Sequence, residues 1–276
     1  MNARDPLTFT DLHSHLVPGV DDGARTLDEA LGALSRLRGK GVKALVTTPH
    51  LDGSVTLSPG AFEDRMQEVG AGWESLIAAA SDTFPEMTIR RGHEVMLDVP
   101  HPDLSDPRTR MDGGPFVLVE WPRLQVPPAT GPVLNRLRED GHRVILAHPE
   151  RYHGVDDELK LPGEWRSTGA FLQVNYGSLV GRYGEAPKRR ALTLLERGWI
   201  DVFSTDFHGR AHLSIYLERV RDAMEELDGG ERFRLLADVN PARILKGEDP
   251  LPVPPIALKK SLWDKVRGMF QGADRW

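Results

Sequence analysis

Seven short apolar runs, most of them followed by a helical pattern, constrain the fold of this chain more than any other feature. They cover residues 7–12, 42–47, 88–91, 116–119, 144–147, 170–174 and 200–204. Their Val, Ile and Leu content suits strands buried on both faces. Thr26-Leu27-Asp28-Glu29 is a capping box that opens the clearest helix, with Leu27, Leu31 and Leu34 at helical spacing and Gly39 and Gly41 at its end. Further helices are expected over 61–80, 132–140, 186–197 and 213–227, whereas 156–167 reads as an ill-defined connection. Strands alternating with helices imply an α/β fold with a parallel sheet, open or closed into a barrel. Seven strands in 276 residues favour a (β/α) barrel, one unit short of the usual eight. Residues 1–250 then form the barrel domain. The Pro-rich stretch 250–255 reads as a stiff linker into a C-terminal tail.

In such a barrel the chemistry sits at the carboxyl ends of the strands. The first run ends in His13-Ser14-His15, and the second in Thr47-Thr48-Pro49-His50. The third runs into Gly92-His93-Glu94, and the fourth ends at Glu120. The fifth ends in His148-Pro149-Glu150-Arg151, and the seventh in Asp206-Phe207-His208. The sixth ends at Asn175, a weak ligand. In extended backbone, alternate side chains share a side, so His13 and His15 can face one ion. Asp22, in the loop after the first run, is a further candidate, although Asp21-Asp22-Gly23 is also an ordinary turn signal. Any one of these histidines alone reads as a surface or core residue. Their recurrence at successive strand ends points instead to a metal site. His93, His101, His142, His153 and His212 keep the ordinary reading. The donors outnumber the four to six that one ion takes, so two or three ions bridged by carboxylates are expected. Clusters of that kind suit hydrolysis of phosphate esters.

The chain contains no cysteine, which excludes disulfides, zinc ribbons and a thiolate nucleophile. The net charge of −6 gives no electrostatic footprint for nucleic acid. Neither a signal core nor a run long enough to span a bilayer is found, and a cytoplasmic protein is expected.

His13-Ser14-His15, Pro18-Gly19-Val20-Asp21-Asp22-Gly23, Thr48-Pro49-His50, His148-Pro149-Glu150-Arg151-Tyr152, Gln173 to Leu179 and Asp206-x-His208 together carry a resemblance. The chain resembles the polymerase and histidinol phosphatase (PHP) superfamily over roughly residues 8–247. Within it, the chain is similar to the bacterial manganese-dependent tyrosine-protein phosphatases associated with capsule and exopolysaccharide genes. The resemblance implies a distorted (β/α)7 barrel with a trinuclear metal centre of manganese, with iron or zinc as other options. His13, His15, Glu94 and Asp206 would hold one ion. Asp22, His50 and His208 would surround a second, and Glu94, Glu120 and His148 a third. Arg151 would bind phosphate; the competing reading is a surface arginine paired with Glu150 or Glu158. A second phosphate-binding arginine is implied shortly after Asp206-x-His208, where Arg210 is the nearest residue and Arg182 its rival.

The reaction so implied is phosphomonoester hydrolysis by a hydroxide bridging two ions, with His208 or a metal-bound water as the general acid. The implied substrate is a phosphotyrosine protein, the tail of a cognate bacterial tyrosine kinase. Trp121, Tyr176, Tyr183 and Phe207 lie beside the expected site and suit an aromatic ring. A small-molecule phosphatase acting on histidinol phosphate is the alternative enzyme. A non-catalytic metal-binding regulator and a nucleic-acid-processing domain are alternatives of other classes. The tail, with Leu258, Leu262, Trp263, Val266, Met269 and Phe270 among Lys259, Lys260, Lys265 and Arg267, reads as a basic amphipathic helix. Packing on the barrel is favoured there over contact with a membrane surface or another subunit.

Overall fold

The computed structural model describes residues 8–257. The C-terminal amphipathic helix expected over 258–276 lies outside the described residues. The strands are β1 (Phe9–Asp11), β2 (Val42–Thr47), β3 (His50–Asp52), β4 (Thr88–Arg91), β5 (Glu94–Met96), β6 (Phe116–Glu120), β7 (Arg143–Ala147), β8 (Phe171–Asn175) and β9 (Val202–Ser204). All their ladders are parallel, in the orders β1-β2-β4 and β3-β5-β6-β7-β8-β9. β2 and β3 are one strand interrupted at Thr48-Pro49, and β4 and β5 are one strand interrupted at Gly92-His93. Pro49 has no N–H for a ladder, which explains the first break. Seven strands thus appear as nine segments.

The ring closes between the extensions of β1 and β9. Asp206 N–H donates to the His13 carbonyl and His15 N–H to the Phe207 carbonyl, both at 2.9 Å. Below this point the Asp11 carboxylate accepts from both the Thr205 N–H and hydroxyl.

Outside the strands run α1 (Leu27–Gly39), α2 (Pro59–Thr83), α3 (Thr130–Glu139), α4 (Lys160–Ser167), α5 (Tyr176–Leu179), α6 (Glu185–Glu196), α7 (Leu217–Glu226), α8 (Gly230–Arg234) and α9 (Asn240–Leu245). α1 starts as the sequence implies, with the Thr26 hydroxyl accepting from Glu29 N–H at 3.2 Å. The Glu29 carboxylate, however, takes Arg25 N–H rather than completing the box on Thr26. α4 occupies the second half of the ill-defined 156–167 connection. Its Pro162 and Gly163 obscure a helical pattern in the sequence, while Pro162 and Trp165 are buried.

Strand side chains alternate between two apolar layers. Val117, Val119, Val144 and Leu146 join the outer layer against the helices. Phe116, Leu118, Ile145 and Ala147 join Leu12, Val46, Met111, Val202 and Ile244 in the barrel interior. This double burial is why the strands read as unbroken apolar runs. α9 sits at the amino end, where the Arg143 side chain donates to the Gly247 carbonyl and Ile244 enters the interior layer. Residues 250–257 do not stand off as a linker. Leu251 N–H donates to the Asn240 side chain at 2.8 Å, Ile256 N–H to the Glu196 carbonyl at 3.2 Å, and Val253 and Ile256 are buried. No helix among the described residues is long and apolar enough to cross a membrane.

Candidate metal centre

Strand register decides which side chains meet at the carboxyl end. β3 and β5 pair with His50 opposite Glu94, and β5 and β6 pair with Met96 opposite Glu120. His13 and His15 follow β1, His148 follows β7, and Asp206 and His208 follow β9. Glu94 stands at the centre. Its Oε2 lies 3.2 Å from His13 Nε2, 3.4 Å from His15 Nε2 and 3.1 Å from His50 Nδ1. Its Oε1 lies 3.0 Å from His148 Nε2. Asp206 Oδ1 is 3.4 Å from His13 Nε2 and 3.6 Å from His15 Nε2. Asp22 Oδ1 is 3.4 Å from His50 Nε2 and 3.3 Å from His208 Nε2. Glu120 lies 3.3 Å from His50 Nδ1 and 3.9 Å from His148 Nε2. All nine residues singled out at the strand ends and in the first loop are thereby brought together.

Their spacing and chemistry fit divalent cations. Donors about 2.1 Å from a common ion stand about 3.0–3.4 Å apart at octahedral to tetrahedral angles. Four overlapping groups have donor atoms within 4.8 Å of one another: His13/His15/Glu94, His13/His148/Asp206, His50/Glu94/Glu120 and His15/Asp22/His50/His208. Imidazole with carboxylate suits manganese, iron or zinc. The grouping differs from the division that the resemblance implies: Asp206 and His148 fall together with His13, His15 joins Asp22, His50 and His208, and His50 also joins Glu94 and Glu120. His50 turns Nδ1 towards Glu94 and Glu120 and Nε2 towards Asp22. A neutral imidazole has one lone pair, so His50 serves only one of these groups at a time.

Residues behind the donors orient them. Asp21 Oδ2 lies 2.8 Å from His15 Nδ1, and the same carboxylate accepts from Gly23 N–H at 2.9 Å and His50 N–H at 3.2 Å. Gly23 is required here because a Cβ would lie 2.2 Å from the His15 carbonyl oxygen. His208 Nδ1 meets its neighbour's carbonyl, Asp206 O, at 3.0 Å. At the end of β8, Gln173 lies 3.0 Å from His13 Nδ1, and Asn175 donates to Asp206 Oδ2 at 2.8 Å. Asp21, Gln173 and Asn175 are not among the ligand candidates of the sequence: Asn175 reads as a weak ligand, and Asp21 and Gln173 stand only within motifs. The available signal was the polar pair Gln173 and Asn175 at alternate positions of an otherwise apolar run. His148 and Asp206 are non-glycine residues with φ of 37° and 50°. Left-handed backbone of this kind costs about 1–3 kcal/mol and clusters at functional sites.

The electrostatics follow from burying many charges together. Burial alone would raise the Glu94 carboxyl, but the charge on His13 and hydrogen bonds from His13, His148 and His15 hold it well below the usual range. Burial opposes a charged His15, yet hydrogen bonds to Asp21 and Glu94 push it up to about 10. Hydrogen bonds from His208 and His50 hold the Asp22 carboxyl far below its ordinary value. Imidazole protons thus balance the carboxylates in the protein alone, and cations would take over that role by displacing them.

Arg151 borders this cluster. Its Nη1 donates to Asp206 Oδ2 at 2.7 Å, and its guanidinium lies 4.2 Å from the centre of the Tyr183 ring. It pairs with neither Glu150 nor Glu158. Glu150 turns into the core and accepts from Asn175 N–H and the Ser178 hydroxyl. Arg151, Arg182, Tyr183, Phe207, His208 and Tyr216 are among the residues lining a cavity of 210 Å³. Arg210 instead donates to the Asp22 carbonyl at 2.8 Å. Of the aromatic candidates, Tyr183 and Phe207 line the cavity, Phe207 from a buried position in the core, whereas Trp121 and Tyr176 are buried core residues that do not reach it. Trp121 packs on Trp165 of α4, and Tyr176 on Phe203 of β9. The five histidines given the ordinary reading belong to none of the donor groups.

The family model for capsular polysaccharide synthesis, CpsB/CapC, matches residues 9–246. The chain belongs to the CpsB/CapC family. Tyrosine-protein phosphatase YwqE of Bacillus subtilis (strain 168) is 24% identical over 263 residues, which cover 94% of this chain and 99% of YwqE. Tyrosine-protein phosphatase CpsB of Streptococcus pneumoniae is 25% identical over 249 residues, covering 85% of this chain and 97% of CpsB. A crystal structure from the work on YwqE from Bacillus subtilis and CpsB from Streptococcus pneumoniae, described as unique metal-dependent tyrosine phosphatases, superposes with a TM-score of 0.74. It is 22% identical and spans 91% of this chain and 100% of its own, so the CpsB/CapC fold extends over most of the molecule.

Proposed function

We propose that this protein is a metal-dependent phosphomonoester hydrolase, and specifically a protein-tyrosine phosphatase acting on a phosphotyrosine protein such as a cognate bacterial tyrosine kinase. The observation that carries the reading is the convergence of five imidazoles and four carboxylates beside a cavity walled by Arg151. Membership of the CpsB/CapC family and the names of the relatives support the substrate class. The overlapping donor groups are compatible with two or three divalent ions, manganese in this reading, held by His13, His15, Asp22, His50, Glu94, Glu120, His148, Asp206 and His208. Such ions supply water that ionises near neutral pH and positive charge opposite the phosphoryl oxygens.

The chain's own groups do the rest. Arg151 meets the phosphate, since a planar guanidinium matches two phosphoryl oxygens. Asp206 anchors one end of that guanidinium and Tyr183 covers its face. The aromatic wall of Tyr183, Phe207 and Tyr216 suits a phenyl ring. A phenol of pKa near 10 leaves without a strong acid; a cation-bound water, or His208 on the cavity wall where its ring is not itself a ligand, would supply the proton. With no cysteine in the chain, a phosphocysteine intermediate is not an option.

Metal analysis combined with phosphatase assays of the wild type and His148→Ala tests this reading. Wild-type protein should hold divalent metal and hydrolyse phosphotyrosine peptides, and the variant should lose most of that activity. Full metal-supported activity in His148→Ala would overturn the site. A large kcat/KM preference for a small ester such as histidinol phosphate would overturn the protein substrate.

A further inference from the structure

β8 ends without a ligand, yet its two polar side chains touch two of the proposed ones. The direction of their hydrogen bonds is fixed from one end. A carboxylate oxygen only accepts, so Asp206 Oδ2 takes an N–H of the Asn175 amide, at 2.8 Å. That orientation turns the Asn175 carbonyl oxygen towards Gln173, whose Nε2 donates to it at 2.7 Å. The Gln173 carbonyl oxygen is then left facing His13 Nδ1 at 3.0 Å. An amide oxygen cannot donate, so His13 must carry its proton on Nδ1. In the neutral ring the lone pair then sits on Nε2, the atom 3.2 Å from Glu94 Oε2 and 3.4 Å from Asp206 Oδ1.

The path begins and ends at residues of one donor group. Gln173 and Asn175 are fully buried, so water does not substitute for either partner. Arg151 also donates to Asp206 Oδ2, at 2.7 Å, which leaves Oδ1 turned to the cluster. The backbone of Asn175 is itself held by Glu150, at 3.1 Å. We propose that Gln173 and Asn175 are positioning residues, a buried amide relay that holds His13 as its Nδ1–H tautomer and turns Asp206 Oδ1 inward for a divalent cation. This rests on the metal-centre reading given above.

The test compares Gln173→Leu and Gln173→Glu with the wild type. Leucine keeps a compact apolar filling but removes the acceptor. Glutamate adds a buried charge and gives up the N–H to Asn175, but keeps an acceptor opposite His13, whereas leucine loses both links. Two measurements are made: Mn²⁺ affinity of the metal-free protein by calorimetry, and the protonated nitrogen of His13 by ¹⁵N NMR of the Zn²⁺-loaded protein. The relay predicts coordination through Nε2 with Nδ1–H in the wild type. It predicts an affinity loss of about 10–100-fold in Gln173→Leu, as for other residues that orient metal ligands. Gln173→Glu should keep the Nδ1–H and lose less affinity than Gln173→Leu. A packing role predicts the reverse order, with leucine tolerated and glutamate harmful, and that order would overturn the relay. So would coordination of His13 through Nδ1, or equal Mn²⁺ affinity in wild type and Gln173→Leu. A wild type that binds no divalent cation would overturn the metal centre itself, and the relay with it.

Discussion

The two ends of the barrel are built on the same strands and do opposite things. At the amino end Phe116, Leu118, Ile145 and Val202 pack with Ile244 of α9 in an apolar interior layer. At the carboxyl end the next residues along those strands are acids and histidines. In β7 and its extension, Ile145 and Ala147 belong to the apolar layer and His148 directly follows. In the first strand Leu12 belongs to that layer and His13 follows. Backbone pairing continues from one layer to the other, so the ladder itself does not distinguish them. The difference teaches where stability and chemistry are stored. The apolar floor gains from burial alone, whereas the polar layer above it is buried at a cost that only mutual pairing, or a cation, offsets.

Substitutions at either end can separate the two. The largest effect is expected for Glu94→Gln, which removes the carboxylate that meets four imidazoles. Phosphatase kcat/KM should fall by about 10³-fold or more, on the scale of losing a metal-held transition state. Mn²⁺ binding measured by calorimetry should fall with it; retention of both would dissolve the contrast between the ends. Arg151→Ala comes next, with about 10²-fold lost in kcat/KM, the scale of one deleted transition-state donor. Its metal content should stay at the wild-type level by elemental analysis, and Arg151→Lys should recover little because an ammonium lacks the fork. At the other end, Ile244→Ala should lower unfolding free energy by about 2–5 kcal/mol in urea titrations. The kcat of its folded fraction should be unchanged, and an Ile244→Ala variant that is stable but inactive would refute the division of labour. The smallest effects are expected among the outer arginines. Arg182→Ala, on the cavity wall, should cost about tenfold in KM, the worth of one charged hydrogen bond. Arg210→Ala, whose side chain is committed to the Asp22 carbonyl, should cost less in the same steady-state assay.

The legibility of the sequence varied with how local each signal was. Six of the seven runs located strands because burial on both faces leaves a dense local pattern, whereas β4, Thr88–Arg91, is largely exposed and departs from the double burial expected of it. The strand breaks at Thr48-Pro49 and Gly92-His93 were not read, since a kink depends on pairing as well as on proline and glycine. α4 was missed because Pro162 and Gly163 mask its period. Trp121 and Tyr176 adjoin site residues in sequence and still face the core, Trp121 because the extended chain after β6 turns its next side chain to the other side and Tyr176 because it opens α5. Gln173 and Asn175 carried a visible mark, two amides in a buried strand, but not what they touch. Arg182 and Arg210 were indistinguishable as letters, and the cavity wall separates them.

Sequence alone determined the residue types at each strand end, the α/β pattern and the absence of a thiol route. Those properties are set by local period and by side-chain chemistry, and they travel with the letters. Tertiary structure decided that Glu94 meets four imidazoles, that His50 stands between two donor groups, and that Asp21, Gln173 and Asn175 orient the donors. Such contacts join residues as far apart as His13 and Gln173, or Glu94 and His148. Their distances are set by parallel register and ring closure, and no local stretch of chain contains either.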